Sequence, residues 1–206
     1  MTDALANRRK ERTDALASAL LDLDKSETRR TADRVASFLN VRKEKFLPAP
    51  PNRHGEYAIS ICGGAGSGKS TFSEELSEKM GYAVFDLDKL VEGGWTPNRA
   101  EYEGRLNKAW QLLWDKQPSL SGWIVEHVEA CNPDFLNMFK PNIAIFMNPG
   151  VGRLREVAAA RNLVGEESSV RYRRALDSAI RAKHQFDEAR GLVILKEGDI
   201  QVKLLT

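Results

Sequence analysis

One nine-residue stretch has a strict glycine pattern: Gly63-Gly64-Ala65-Gly66-Ser67-Gly68-Lys69-Ser70-Thr71. It reads G-x-x-x-x-G-K-[ST], follows the apolar run 57–62 and precedes a helix-like segment, 72–80. Strand, glycine-rich loop and helix in this order are the context of a phosphate-binding loop, or P-loop. Glycines let successive N–H groups turn toward a polyanion, and the next helix adds free N–H groups and its positive dipole end. We therefore predict that all nine residues bind the phosphates of a nucleotide.

Lys69 and Ser70 carry the side chains that such a loop uses chemically. A lysine at this position reaches the β- and γ-phosphates, and a hydroxyl at the next position ligates Mg²⁺. We therefore expect ATP and Mg²⁺ as cofactors, with Lys69 in a catalytic role and Ser70 as a metal ligand.

Length and composition suit one α/β domain with a small appendage. The 206 residues carry a formal net charge of only +2, which does not indicate a nucleic-acid binder, although a local basic patch would suffice for one. The only cysteines, Cys62 and Cys131, lack metal-ligand spacing and suit a reducing cytoplasm. No apolar run reaches the length of a membrane span, so we expect a cytoplasmic protein without a membrane partner.

Composition divides the chain into three parts. Residues 1–45 predict a helical N-terminal extension, in which basic residues outnumber acidic ones. Residues 46–56 form a proline-rich linker, because proline stops helices and favours an extended chain. Residues 57–206 form the domain that carries the P-loop. The extension is either a pair of solvated helices packed beside this domain or a docking surface for nucleic acid or a partner.

Short apolar strands alternate with helices through the third part, which predicts an α/β fold with a parallel five-stranded sheet sandwiched by helices. The predicted strands are 57–62, 82–85, 122–126, 142–147 and 192–195. The predicted helices after the P-loop helix are 98–116, 133–139, 151–162 and 168–189. Ligands of such sheets bind beyond the carboxyl ends of the strands, so residues that follow the strands should meet at one edge.

Two carboxylates, Asp86 and Asp88, follow the second strand. Residues two apart in an extended segment point to the same side, so we expect both to face the P-loop. A kinase needs a base that accepts the proton of the attacking hydroxyl. We predict Asp86 for this catalytic role, because it is nearest the strand end, and Asp88 for substrate binding. A solvated loop or a helix cap, with Asp88 capping the residues from Lys89 onward, is the alternative for this pair.

Glu126 ends the third predicted strand, and His127 follows it on a loop. An acid at the end of an apolar strand is costly unless it faces a site. We therefore predict that Glu126 binds Mg²⁺ or the substrate and that His127 contributes to substrate binding. A helix cap or a salt-bridged edge residue is the alternative for Glu126.

Arginines cluster after the fourth strand. Two helices joined near 163–167 would form a lid over about 153–175 that excludes water when it closes. Phosphoryl transfer needs positively charged side chains beside the transferred phosphoryl group. We predict Arg161 as catalytic, because it ends the first lid helix, and Arg153 and Arg155 as substrate-binding.

Other nucleotide-driven classes have motifs that this chain lacks. A switch GTPase needs N-K-x-D and D-x-x-G, and neither occurs in the sequence. A mechanical ATPase usually has an apolar run that ends in Asp-Glu, whereas the third strand ends Ile124-Val125-Glu126-His127. A kinase is therefore the favoured class.

The P-loop, Gly81 and the segment Val84-Phe85-Asp86-Leu87-Asp88-Lys89-Leu90 resemble dephospho-coenzyme A kinases. The strand Ile124-Val125-Glu126, the lid arginines and the helix before the domain resemble the uridine kinase and pantothenate kinase group. Over residues 57 to about 196, this resemblance implies a P-loop NTPase-like fold and a kinase reaction, with the first aspartate of D-x-D as base. The core is also similar to polynucleotide kinases and to phage kinases that act on hydroxymethylated bases in DNA.

Three functional hypotheses follow. The leading one is an ATP- and Mg²⁺-dependent kinase that phosphorylates a hydroxyl of a nucleoside-like or related small molecule. The second is a kinase for a hydroxyl in nucleic acid, either a modified base or a polynucleotide end. The third is a nucleotide-dependent regulatory or assembly ATPase without an acceptor.

Overall fold

The computed structural model describes residues 26–42, 56–91, 96, 98–148, 150 and 168–206, with the backbone alone for 168–171. This part of the chain is an α/β fold with one six-stranded sheet. The strands are β1 (Ala58–Gly63), β2 (Ala83–Asp86), β3 (Trp123–Glu126), β4 (Ile143–Met147), β5 (Gly191–Glu197) and β6 (Ile200–Leu205). The helices are α1 (26–42), α2 (Lys69–Met80), α3 (Leu87–Leu90), α4 (Arg99–Lys116), α5 (Pro133–Phe139) and α6 (Ser168–Glu188).

The sheet is mostly parallel, in the order β2-β3-β1-β4-β6-β5. Strands β2, β3, β1 and β4 are parallel, whereas β6 pairs antiparallel with both β4 and β5. The prediction of a five-stranded, fully parallel sheet is therefore wrong at its C-terminal end. Residues 198–199 turn the chain, with Gly198 at a φ of 53°, and β6 inserts between β4 and the predicted last strand. The alternating apolar residues Ile200, Val202 and Leu204 were the signal for this missed strand.

The central strands are buried on both faces, because helices cover each side of the sheet. In β1, Ala58 and Cys62 belong to a core with α4, α5 and α6, whereas Ile59 and Ile61 belong to a core with α1 and α2. Cys62 is fully buried in this core. Helices therefore cover both faces of the sheet, and a site can form only in the loops at the two ends of the strands.

Helix α1 is part of the layer that contains α2. Its residues Ala32, Val35 and Leu39 are fully buried, at the helical spacing that the sequence predicts. Tyr57, at the start of β1, donates a hydrogen bond from its hydroxyl to the Leu39 carbonyl at 3.1 Å. Ion pairs also join α1 to α2 and to the β5–β6 hairpin: Arg29 with Glu75, Asp33 with Lys79, and Arg34 with Glu197. Several charged side chains of α1 therefore form ion pairs within the molecule, at its surface.

Helix α6 is fixed to the sheet at its C-terminal end. Lys203 of β6 is buried and donates hydrogen bonds to the carbonyls of Phe186, Asp187 and Ala189. Terminal carbonyls of a helix lack partners within the helix, so a buried lysine here stabilises the helix end. Burial lowers the pKa of Lys203 below its ordinary value. The anchor matters for the site, because the preceding turns of α6 lie over the P-loop.

Candidate active site

The predicted P-loop joins β1 to α2 at the carboxyl edge of the sheet. Gly66 and Gly68 have φ values of 79° and 84°, a region that residues with a Cβ rarely adopt. The Ser67 N–H donates to the Gly64 carbonyl at 3.1 Å, which closes the loop into a tight turn. Helix α2 begins at Lys69 without a side-chain cap and without an acidic residue in its first turn. No side chain of the described residues caps the first N–H groups of α2, as an anion site at a helix N terminus requires.

Gly64 is a glycine because α6 passes directly over it. A Cβ at this position would lie 2.6 Å from the Ala179 Cβ and 2.9 Å from the Ala175 carbonyl oxygen. The Ser178 hydroxyl, in the same turn of α6, accepts a hydrogen bond from the Ala65 N–H at 2.8 Å. Helix α6 therefore clamps the first half of the P-loop.

The side chains of Lys69, Ser70 and Glu126 meet beside the loop. Lys69 is 6% exposed, and its Nζ donates to the Gly64 carbonyl at 3.2 Å. Ser70 donates a side-chain hydrogen bond to Glu126, which is only 2% exposed. Burial raises the pKa of Glu126 above its ordinary value, and the charges of Asp86 and Asp88 act in the same direction. The hydrogen bond from Ser70 and the charge of Lys69 oppose this effect, so the ionised carboxylate depends on positive charge nearby.

Asp86 ends β2 and caps the short helix α3. Its Oδ1 accepts from the Lys89 N–H at 3.2 Å, and its Oδ2 lies 3.1 Å from Lys89 Nζ. The expectation that Asp86 and Asp88 lie on one side of an extended segment is therefore wrong, because α3 begins between them. The alternative of a capping role applies to Asp86. In the sheet, Asp86 lies opposite Glu126 of β3.

Asp88 lies in the first turn of α3 and is held by His127. The His127 ring is 1% exposed, and its Nδ1 accepts from the Glu129 N–H at 3.0 Å. The hydrogen of the neutral ring is therefore on Nε2, which lies 3.2 Å from Asp88 Oδ1 and 2.9 Å from the Tyr102 hydroxyl. The hydrogen bond to His127 lowers the pKa of Asp88, with a smaller contribution from the charge of Lys69. His127 thus positions an ionised Asp88 that is 65% exposed.

Tyr102 connects this group to a cavity of about 690 Å³ between α4 and α6. The volume is in the range of pockets that hold small molecules. Burial and the charges of Asp88 and Glu129 raise the pKa of Tyr102 to about 12, so its hydroxyl stays protonated. Side chains from several segments line the cavity, most of them polar or charged, among them Tyr102 and Trp110 of α4, Glu129 after β3, and Arg181 and Gln185 of α6. Another cavity, of about 720 Å³, lies at the opposite edge, next to Cys131, Asn142 and Leu205.

The fold thus brings most of the predicted site residues to one edge. The P-loop, Asp86, Asp88, Glu126 and His127 meet there, in line with the rule for parallel sheets. Arg153, Arg155 and Arg161 lie outside the described residues, as does most of the predicted lid. The described remainder of that lid, 168–175, belongs to the continuous helix α6.

Sequence reasoning missed the roles of Tyr102, Arg181 and Gln185. Tyr102 lies at helical spacing with the apolar residues Leu106, Ala109 and Leu113 of its helix, and the other two residues lie on a polar face. Arg181 donates to Glu129 at 3.0 Å, and Gln185 donates to the other oxygen of the same carboxylate. The spacing of Arg181 and Gln185, one turn apart, was the one available signal, and solvated helix faces have the same spacing.

The donor atoms at this edge fit a magnesium ion held together with phosphates. Within the described ranges, no group of three or more histidine, cysteine or carboxylate side chains could hold a metal by itself. Magnesium usually takes only one or two carboxylates and completes its shell with water and substrate phosphates. Ser70 and Glu126 supply one hydroxyl and one carboxylate, and the hydroxyl of Ser67 in the same loop is buried without a partner in the described part of the chain.

The sequence matches no family model, and no curated protein matches it at a significant level. No helix within the described ranges has both the length and the apolar character that crossing a membrane requires.

Proposed function

We propose that this protein is a kinase of the P-loop NTPase-like class, which transfers the γ-phosphate of ATP, with Mg²⁺, to a hydroxyl of a bound small molecule. The observation that supports it most is the combination of three features at one edge of the sheet. A P-loop with a free helix N terminus lies next to an ionised, positioned carboxylate, Asp88, and a small-molecule cavity. Hydrolysis or switching would not require the last two.

On the donor side, the backbone N–H groups of residues 64–71 bind the phosphates, and Lys69 orients the γ-phosphate. Ser70 and Glu126 would hold Mg²⁺, which supplies charge neutralisation on the phosphates when it is bound. Binding of positive charge would also favour the ionised form of Glu126, whose pKa is raised without it.

On the acceptor side, Asp88 is the better candidate for the base. Asp86 uses both carboxylate oxygens within α3, on the Lys89 N–H and the Lys89 ammonium. Asp88 is exposed toward solvent, and His127 holds one of its oxygens. A base must reach the proton that it accepts, so an exposed and oriented carboxylate suits this role. The role of Asp86 as base stays a prediction that the same experiments test.

A nucleoside-like metabolite remains the leading acceptor, and the two buried free thiols, Cys62 and Cys131, fit work in the reducing cytoplasm. The test is to incubate the protein with γ-labelled ATP and Mg²⁺ against separate pools of nucleosides, coenzyme precursors and modified DNA. We expect label in one of the first two pools. Label in the DNA pool alone would favour the nucleic-acid kinase, and ATP hydrolysis without a labelled product would favour the regulatory ATPase. Absence of ATP binding would contradict the proposal.

A further inference from the structure

A recess of about 80 Å³ adjoins the P-loop on its β4 side. Three segments outside the P-loop contribute to its lining, among them Glu27 and Thr28 of α1, Asn148 after β4, and Asp199 between β5 and β6. The Asn148 N–H donates to the Asp199 carbonyl at 2.8 Å, which joins two of these segments. Pockets that enclose a whole small molecule have about 300–1,000 Å³, so this recess suits only part of a ligand.

The order of the strands determines which part of a nucleotide can reach this recess. The P-loop follows β1, which has β3 on one side and β4 on the other. Asp88 lies on the β3 side, after β2, where the proposed function places the acceptor hydroxyl. The attacking and leaving oxygens of phosphoryl transfer lie roughly in line, so the acceptor and the remainder of the donor nucleotide are on opposite sides of the γ-phosphate. The nucleoside of the donor would therefore extend toward β4 and the recess.

Helix α1 brings its turn at 27–31 to the P-loop and is fixed there. An added Cβ at Gly68 would lie 3.9 Å from Thr28 Oγ1, so the two residues are close neighbours. Ala32, one turn after Thr28, is fully buried. Arg34 forms an ion pair with Glu197, which also lines the recess. The polar side chains of this turn are therefore held beside the P-loop without a ligand, and such preorganisation lowers the cost of binding.

Hydrogen-bond acceptors dominate the polar groups of the recess. Glu27 and Asp199 carry carboxylates, which only accept hydrogen bonds when they are ionised, whereas the Thr28 hydroxyl and the Asn148 amide can donate and accept. All four side chains can reach a ligand, because Thr28 is half-buried and the other three are exposed. A ligand with adjacent donors fits these acceptors, and the neighbouring hydroxyls of a ribose supply two. The carboxylates would repel a further phosphate group.

We propose that the recess binds the ribose of the donor nucleotide, with Glu27 and Asp199 accepting hydrogen bonds from its hydroxyls and Thr28 contributing a hydroxyl of its own. The inference rests on the proposed function, because it takes the direction of the nucleotide from an acceptor beside Asp88. It makes α1 a part of the nucleotide site, so the N-terminal extension contributes to recognition of the donor. Glu27 and Thr28 are then residues that determine specificity for a ribonucleotide over a deoxyribonucleotide.

The test measures binding by calorimetry in the presence of Mg²⁺, with three ligands: a non-hydrolysable ATP analogue, its 2′,3′-dideoxy form, and inorganic triphosphate. We expect the wild type to bind the ribose form about 10-fold more tightly than the dideoxy form, the value of a hydrogen bond to a charged group. Glu27→Gln and Thr28→Val should each reduce this ratio by about 3-fold, because they weaken binding of the ribose form only. A change in the general electrostatics of the site would instead affect both forms alike.

Glu78→Gln is the matched control, because Glu78 is an exposed glutamate on α2 that does not line the recess, and it should keep the wild-type ratio. A reduced ratio in either recess variant supports the inference. Equal affinity of the wild type for the ribose and dideoxy forms, or the wild-type ratio in both Glu27→Gln and Thr28→Val, would overturn it, while binding of the ATP analogue would still support the P-loop assignment. Failure of both the ATP analogue and inorganic triphosphate to bind would contradict the proposed function as well.

Discussion

The P-loop and the cavity between α4 and α6 lie at the carboxyl edge of the sheet, but they are built differently. The P-loop takes its shape from nine consecutive residues, and two of its glycines have positive φ values. The cavity combines side chains from α4, the segment after β3, and α6, which are far apart in the sequence. In the proposed function, backbone N–H groups would bind the ligand in the first region, and side-chain polar atoms would bind it in the second.

Because of this difference, the two regions should tolerate different side-chain substitutions. Replacing one side chain leaves most of the backbone N–H groups of the P-loop in place, so only Lys69, Ser70 and the glycines should be sensitive there. In the cavity, each polar atom comes from one side chain, and its orientation depends on a neighbour such as Glu129. The experiments below test this contrast, from the largest expected effect to the smallest.

Replacing the P-loop lysine should have the largest effect. We expect Lys69→Ala to reduce phosphoryl transfer by about 10³-fold, because it removes the cation that stabilises charge on the transferred group. Far-ultraviolet circular dichroism should be unchanged. The control is Lys196→Ala on β5, an exposed lysine away from the loop. Normal turnover in Lys69→Ala would contradict the assignment of the entire donor side.

Substituting each of the two aspartates should show which one is the base and which one only caps α3. We expect Asp88→Asn to reduce kcat by about 10²-fold, a usual contribution of a general base, with unchanged affinity for the ATP analogue. Asp86→Asn should have a smaller effect, because asparagine is as good a helix cap as aspartate and only the ion pair with Lys89 is lost. Both variants should fold. The reverse order of kcat values would assign the base to Asp86.

The contrast between the two regions also explains how much the sequence could predict. The α/β class, the four parallel strands and the bounds of α4, α5 and α6 followed from local periodicity and glycine or proline signals, within one or two residues. The P-loop was recognisable because its determinants are contiguous. The turn of α3 after Asp86 was missed, because four residues of helix give no periodic pattern.

The cavity between α4 and α6 was not predictable in the same way. Arg181 and Gln185 are polar residues on an otherwise ordinary amphipathic helix, and only the packing of α6 brings them to Glu129. The β6 strand had a local signal, but its position between β4 and β5 depends on pairing across the sheet. Contacts between distant segments are set by tertiary packing, which single-sequence patterns do not encode.

A pair of glycine substitutions tests the clamp of α6 on the P-loop. We expect Gly64→Ala to lower the free energy of unfolding by about 1–3 kcal/mol, because its Cβ would meet backbone and Cβ atoms of Ala175 and Ala179 within 3 Å. Gly104→Ala is the matched control. Gly104 lies within α4 with nothing within 4 Å of an added Cβ, so the change should raise stability by about 0.5–1 kcal/mol. Chemical denaturation measures both. Equal effects would mean that α6 does not restrain the loop.

The smallest expected effect is on stability at Glu126, and its sign depends on pH. Folding raises the pKa of Glu126 above the ordinary value of 4.5, chiefly because the side chain is buried. Its contribution to stability is therefore most favourable below that value and declines as the pH rises through the folded-state pKa. Glutamine cannot ionise, so Glu126→Gln should have a higher Tm than the wild type at about pH 8, and the difference should shrink toward pH 5.

Mg²⁺ with a non-hydrolysable ATP analogue should reverse the order of these two Tm values. Bound positive charge stabilises the ionised carboxylate, so the wild type should gain more in Tm than Glu126→Gln when the ligands are added at about pH 8. Glu78→Gln, at an exposed position on α2, is the control. The difference between its Tm and that of the wild type should not grow as the pH rises. A lower Tm for Glu126→Gln than for the wild type without ligands would mean that the hydrogen bond from Ser70 outweighs burial. Glu126 would then be a structural partner of the P-loop, and the contrast between a backbone-built donor site and a side-chain-built acceptor site would not hold at this residue.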